Sequence, residues 1–151
     1  MGIFSSSKPF FSVEEQASLV QAIRFMEQNT SGEIRLYVES KNPFVDPLER
    51  AGQIFFSLKM ENTEDRNAVL IYLATSHREF AIFADEGIYQ KLGQEYWNGI
   101  VSKITQEFSA DNIVEGLVHC IQKIGFALQQ QFPYLNDTDK NELPDDIVFG
   151  R

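Results

Sequence analysis

The stretch "NAVLIYLATSHREFAIFAD", residues 67–85, decides the fold. Residues 67–74 are almost wholly apolar, the pattern of a strand covered on both faces at the centre of a sheet. "TSHR", residues 75–78, is a short polar turn. "EFAIFAD", residues 79–85, is the next strand, and so short a link makes the pair an antiparallel hairpin. The second strand ends abruptly in Asp85 and Glu86. Gly87 follows, and from there a helical pattern runs to about Phe108, with a break near Gly93.

Upstream, "EIRLYVES", residues 33–40, alternates. Ile34, Leu36 and Val38 face one way and Glu33, Arg35, Tyr37 and Glu39 the other, which reads as a half-covered strand. Asp46-Pro47 opens a helix, with Asp as N-cap, Pro at the first position and Glu49 in the first turn. Its apolar stripe is Leu48, Ala51, Phe55 and Leu58. An earlier helix starts at Val13 behind the capping box Ser12 and Glu15, with Val13, Ala17, Val20, Ile23 and Met26 on one face. A last helix, capped by Ser109 or Asp111, carries Ile113, Leu117, Ile121, Ile124 and Leu128. Strand–helix–strand implies a parallel pair. The fold class is therefore α/β: a small three-layer α/β/α sandwich with a mixed sheet, a parallel pair beside an antiparallel hairpin. Residues 1–11 read as a loose leader, 12–132 as the domain, and 133–151 as an acidic C-terminal tail, mobile for part of its length.

That topology gathers carboxylates. The first two strands run parallel, so their first residues, Glu33 and Asn67, share one edge of the sheet. The hairpin returns Asp85 to the same edge, together with Glu86, and the loop carrying Asp65 and Arg66 sits there as well. Clustered carboxylates repel, and a site that keeps them together raises their pKa values, pairs them with Arg66, or binds a cation. Hard cations such as calcium and magnesium take oxygen ligands, which this inventory supplies. The bland readings stand beside this one. Asp85 and Glu86 cap a helix whose dipole favours negative charge, Glu33 faces solvent, and Asp65 pairs with Arg66.

Totals narrow the field. The chain has 151 residues, enough for one domain with a core, and 43% are hydrophobic. A net charge of −9 and a pI near 4.7 argue against nucleic acid and anionic membrane surfaces, which need basic patches. The single cysteine, Cys120, allows no intrachain disulfide and no Cys-based zinc site, and reads as a small core side chain. No run approaches a membrane span, and no secretory apolar core is present, so the expected location is cytoplasmic. "MGIFSS" matches the myristoylation pattern of Gly2 with Ser6, a pattern short enough to occur often by chance. His77 falls in the hairpin turn, far from the carboxylates, and His119 in the last helix reads as structural. There is no Gly-x-Ser-x-Gly elbow, no phosphate loop, no His-Glu-x-x-His and no EF-hand spacing. The lone Trp97, beside Tyr96 on a helix, reads as packing or as a recognition patch.

Four blocks, "GEIRLYVES", "RNAVLIYLA", "FAIFADEGIYQKLG" and "FSADNIVEGLVHCIQKIG", stand in an order that resembles the TPM domain. That family includes thylakoid-lumen acid-phosphatase-like proteins, photosystem II repair proteins and bacterial relatives. The resemblance covers about residues 12–130, and the closing "NELPDDIVFG" resembles the tail of short, stand-alone bacterial members. It implies a Rossmann-like α/β/α sandwich, divalent-cation binding in an acidic crevice as in some members, and the phosphatase activity attributed to plant members. By the same resemblance the Glu of "GEI" is Glu33, the Asn of "RNAVL" is Asn67, and the acid after the third strand is Asp85. Two departures stand out: Ala68 where the family often has Gly, and neither the signal peptide nor the C-terminal membrane helix of many members.

Three functions are compatible with these residues. In the first, calcium or magnesium is held by Glu33, Asp65 and Asp85, with Asn67 and Glu86 as auxiliary ligands or supports, in an assembly or regulatory role. The second is a metal-assisted phosphatase, in which the metal polarises a phosphoryl oxygen, a carboxylate acts as base and the helix start at Gly87 receives the phosphate. The third is a protein-interaction module whose acids are surface charge.

Overall fold

A computed structural model of the chain describes residues 10–43, 46–109, 113–134 and 147–150. Among these the elements follow in the order α1 (Val13–Glu27), β1 (Glu33–Glu39), α2 (Pro47–Ser57), β2 (Ala68–Ala74), β3 (Glu79–Ala84), α3 (Glu86–Leu92), α4 (Gln94–Ser109), α5 (Ile113–Gln131) and β4 (Val148–Phe149). The sheet order is β3-β2-β1-β4. β1 and β2 run parallel with Glu33 beside Ala68, and β2 and β3 run antiparallel with Val69 beside Ala84. The α/β class, the parallel pair and the hairpin are as the sequence implies.

Two apolar clusters fill the two faces. On one, Ile34, Leu36, Val69, Ile71, Leu73 and Ile82 pack under α1, α3, α4 and α5. On the other, Ala68, Leu70, Tyr72 and Ala81 pack under α2 alone. Each buried Leu or Ile contributes roughly 2 kcal/mol of transfer free energy. α2 is as predicted at its start: Asp46 accepts from the Leu48 N–H and Pro47 occupies the first turn. The capping box at Ser12 and Glu15 is present in full. The break at Gly93 is a positive-φ residue (83°), a conformation that glycine adopts without steric cost.

Several expectations change. Glu33 and Glu39, read as solvent-facing, are both buried, Glu39 beneath the Arg50 guanidinium from α2, while Arg35 and Tyr37 on the same face are half-buried. The inward face of α1 is Leu19, Ile23 and Met26, while Val13 is exposed. In α2 the buried residues are Ala51, Ile54 and Phe55, and Leu48 lies half in solvent. α3 begins at Glu86 rather than Gly87, with Asp85 as its N-cap. Phe11, placed with the leader by the sequence, is fully buried in the core. Within the region read as a tail, Val148–Phe149 pair in parallel with Tyr37 and Val38 as the sheet's outer strand. Ser109 is the last residue of α4. The Gly2–Ser6 pattern, Asp111 and tail residues 135–146 lie outside the described residues.

Thr30 joins the two ends of the domain. It is 3% exposed, and its hydroxyl lies within bonding distance of the Leu128 and Phe132 carbonyls at the end of α5 and accepts from the Gly32 N–H. Thr30→Val deletes that hydroxyl while keeping the shape. Urea denaturation is expected to show a loss of about 2 kcal/mol, the cost of leaving buried polar groups unsatisfied.

Candidate functional site

Backbone bonds stitch three segments together at one edge of the sheet. Glu33 donates its N–H to the Asn67 carbonyl at 3.4 Å, Asp85 to the Ala68 carbonyl at 2.9 Å, and Gly87 to the Arg66 carbonyl at 2.8 Å. Arg66 turns the chain into β2 with a left-handed φ of 51°. A Cβ at Gly87 would lie 2.2 Å from the Asp65 carbonyl oxygen and 2.5 Å from that of Arg66. Only a residue without a side chain lets the start of α3 seat so closely on this loop. Glu33, Asp65, Asn67, Asp85 and Glu86 thus come to one rim.

Their side chains take different environments. Asp85 is 3% exposed and grips Arg66 with both oxygens, Oδ2 to Nε at 2.7 Å and Oδ1 to Nη2 at 2.9 Å. Its Oδ1 also accepts the Glu86 N–H at 2.8 Å, which caps α3. Hydrogen bonding to Asp85 pushes the Arg66 pKa further up, partial burial opposes this, and the charges of Asp85 and Glu86 add to it. Glu86 is exposed and 3.5 Å from the same guanidinium. Asp65 is exposed, and Glu33 is buried and has interactions of its own. Asn67 is 1% exposed; its amide nitrogen donates to Ser31 Oγ at 3.3 Å, and its Oδ1 is buried with no hydrogen-bond partner. Among the described residues, no group of three or more His, Cys, Asp and Glu is placed to hold a metal ion.

From this rim a groove of about 830 Å³ runs along the outer edge of β3, between α2 and α4. Leu48 and Phe56 line one wall, Tyr89, Trp97 and Val101 the other, and Arg66, Asp85 and Glu86 one end.

The TPM domain family matches residues 6–126. The chain belongs to the TPM domain family. Among solved structures, this TPM domain is similar to the BA42 protein of the psychrophilic bacterium Bizionia argentinensis, at 39% identity and a TM-score of 0.86, covering 95% of this chain and 97% of that one. Two more distant structures share the fold. One is the N-terminal domain of a protein from P. gingivalis, at 14% identity and TM-score 0.65 over 81% of this chain and 78% of that one. The other is the N-terminal domain of cg2496 from Corynebacterium glutamicum, at 12% identity and TM-score 0.61 over 98% and 94%. No curated protein matches. No helix among the described residues is long and apolar enough to cross a membrane.

The opposite edge of the TPM sheet holds a second constellation that the sequence reading missed. Glu39, 3% exposed, receives Arg50 Nε at 2.8 Å and Nη2 at 2.9 Å, and the Tyr72 hydroxyl donates to the same carboxylate. Burial pushes the Glu39 pKa up, but the bonds from Arg50 and Tyr72 outweigh it and hold the carboxyl below the usual range. Burial, with the Glu39 bond and charge, pushes Tyr72 well above the usual phenol value. The signal was a lone Tyr inside the otherwise aliphatic "AVLIYLA", whose hydroxyl needs a buried acceptor. Cys120 is a buried core residue, its thiol pushed up by burial and by the Glu107 charge.

Proposed function

We propose that this TPM domain binds a divalent cation, calcium or magnesium, at the rim, in an assembly or regulatory role. The observation that carries the reading is Asn67 Oδ1, an acceptor buried without a partner among segments rich in carboxylates. Buried oxygens are rarely left unsatisfied, and those that are mark a strained group or a place for water or an ion. An oxygen-only donor set of Asn67, Glu33, Asp65 and Glu86 suits a hard cation. Asp85 joins it to the extent that Arg66 yields, because the ion and the guanidinium compete for the same two oxygens.

That competition gives a directional test. Calorimetry on chelator-treated protein is expected to show saturable calcium or magnesium binding, weakened in Asn67→Leu and strengthened in Arg66→Gln, which removes the rival cation. At a free ion concentration a hundred times Kd, the ion stabilises the fold by about 2.7 kcal/mol, a rise of several degrees in Tm. An unchanged Tm with and without chelator, or an affinity indifferent to both Asn67→Leu and Asp85→Asn, contradicts the assignment. A small-phosphoester assay separates binding from catalysis. The cation reading expects no metal-dependent turnover, and turnover abolished in Asp85→Asn would make the site a phosphatase.

A further inference from the structure

Among the described residues no strand pairs with the outer edge of β3, which lies at the floor of the groove with Phe80 and Ile82 only 7% and 6% exposed. In an antiparallel ladder, pairs that exchange hydrogen bonds alternate with pairs whose N–H and C=O groups point away. Asp85 donates to Ala68 across the β2–β3 ladder, so the next pair, Val69 with Ala84, is of the second kind, as are Ile71 with Ile82 and Leu73 with Phe80. Phe80, Ile82 and Ala84 therefore turn their backbone groups away from β2, where the sheet ends. Among the described residues no backbone bond outside the ladder reaches these three, and all three line the groove.

The walls and ends of the groove select its occupant. Leu48 and Phe56 each leave half their surface in solvent on the α2 side. On the α4 side Trp97 is 4% exposed, and its indole N–H has no acceptor. α2 connects parallel β1 and β2 and so runs alongside β3 in the same direction. This puts Asp46, at the head of α2, toward the start of β3, while Asp85 and Glu86 lie at its end. Carboxylates thus stand at both mouths, and the lone arginine of the lining is committed to Asp85. A second copy of this chain, at a net charge of −9, brings the same sign of charge to the contact.

We propose that the β3 edge accepts an extended segment of a protein partner as a fifth strand, with apolar residues at alternate positions and Lys or Arg at its ends. Main-chain bonds to Phe80, Ile82 and Ala84 supply the pairing, the apolar walls take alternate side chains, and the acidic mouths take the basic flanks. From Phe80 to Ala84 the edge extends roughly 13 Å at about 3.3 Å per residue, so a segment of about seven residues spans it with its flanks. This inference does not depend on the cation.

The test is amide hydrogen exchange followed by NMR on the full chain, with and without the heptapeptide Lys-Val-Thr-Val-Thr-Val-Lys. In the free protein the amides of Ala81 and Phe83, bonded to β2, exchange slowly and those of Phe80, Ile82 and Ala84 fast. Peptide at millimolar concentration is expected to slow the latter three by about tenfold or more, leaving the others unchanged. The same peptide N-methylated at alternate residues, or flanked by Glu, gives no protection. Ala84→Pro removes one outward N–H without touching the ladder and abolishes the effect. Leu48→Ser, on the half-exposed wall, weakens binding several-fold with the melting temperature retained, which keeps the test valid if the proline variant misfolds. Protection absent at millimolar peptide, or equal binding of the N-methylated or Glu-flanked peptide, overturns the proposal. So does protection already present in the free protein together with a dimer in sedimentation, which would make the occupant a second copy.

Discussion

Gly87→Ala is expected to destabilise the domain by about 3 kcal/mol, at the upper end for one added methyl group, because the clash is with backbone. The new Cβ would meet the carbonyl oxygens of Asp65 and Arg66 at 2.2 and 2.5 Å, and neither is the end of a flexible side chain. Relief requires α3 to lift from the 65–66 loop. That motion breaks the Gly87–Arg66 backbone bond at 2.8 Å and pulls Asp85 away from Arg66. Urea denaturation reads the loss, and NMR shifts at Arg66 and Asp85 should change together. A Gly87→Ala protein of native stability would mean that the loop and α3 are not in close contact. Gly93→Ala is the contrasting case: nothing lies within 4 Å of its added Cβ, so its cost comes from the backbone alone (φ 83°, ψ 159°), about 2 kcal/mol.

Arg50→Met is expected to cost about 3 kcal/mol at neutral pH, since it strands the buried Glu39 carboxylate without its cation. The double variant Glu39→Leu with Arg50→Met should recover much of that loss, because a pair of apolar side chains avoids the desolvation of both charges. The pH dependence has a definite sign. In the wild type the folded Glu39 pKa lies below its unfolded value, so its contribution is complete above the ordinary Glu range, about 4.3. It is lost as pH falls through the lower folded value. In Arg50→Met the carboxyl keeps its burial and loses its main partner, so its folded pKa rises. That variant regains stability as acid protonates Glu39, and chemical denaturation at neutral and mildly acidic pH should show the two proteins converging. Parallel curves would contradict the assignment.

The fold was legible where local chemistry and topology agreed. The four-residue "TSHR" link forces a hairpin, and the apolar run before it marks the central strand. From these two readings follows the meeting of Glu33, Asn67 and Asp85 at one rim, seen in the backbone bonds from Glu33 to Asn67 and from Asp85 to Ala68. Alternation misled at β1. Glu33 and Glu39 look solvent-facing because a strand pattern does not reveal what will cover its polar side; at Glu39 the cover is Arg50 from α2 and the Tyr72 hydroxyl, which make its burial tolerable. β4 is only Val148 and Phe149, too short for a period, and it gains its place from the exposed edge of β1 rather than from its own pattern. At Asp85 the capping reading describes the geometry: the carboxylate caps α3 and binds Arg66. Whether it also meets an ion depends on an equilibrium between two cations, which residue spacing does not encode. The groove was invisible for a related reason, since it is built from α2, β3 and α4, which touch only in three dimensions.

Calcium titrated into chelator-treated, ¹⁵N-labelled protein tests the central claim most directly. The amides of Ser31 to Glu33, Asp65 to Asn67 and Asp85 to Gly87 should shift along one saturating curve, while those of Glu39 and Arg50 at the far edge stay still. Shifts that never saturate and scatter over exposed acids such as Glu14 and Glu49 would contradict it.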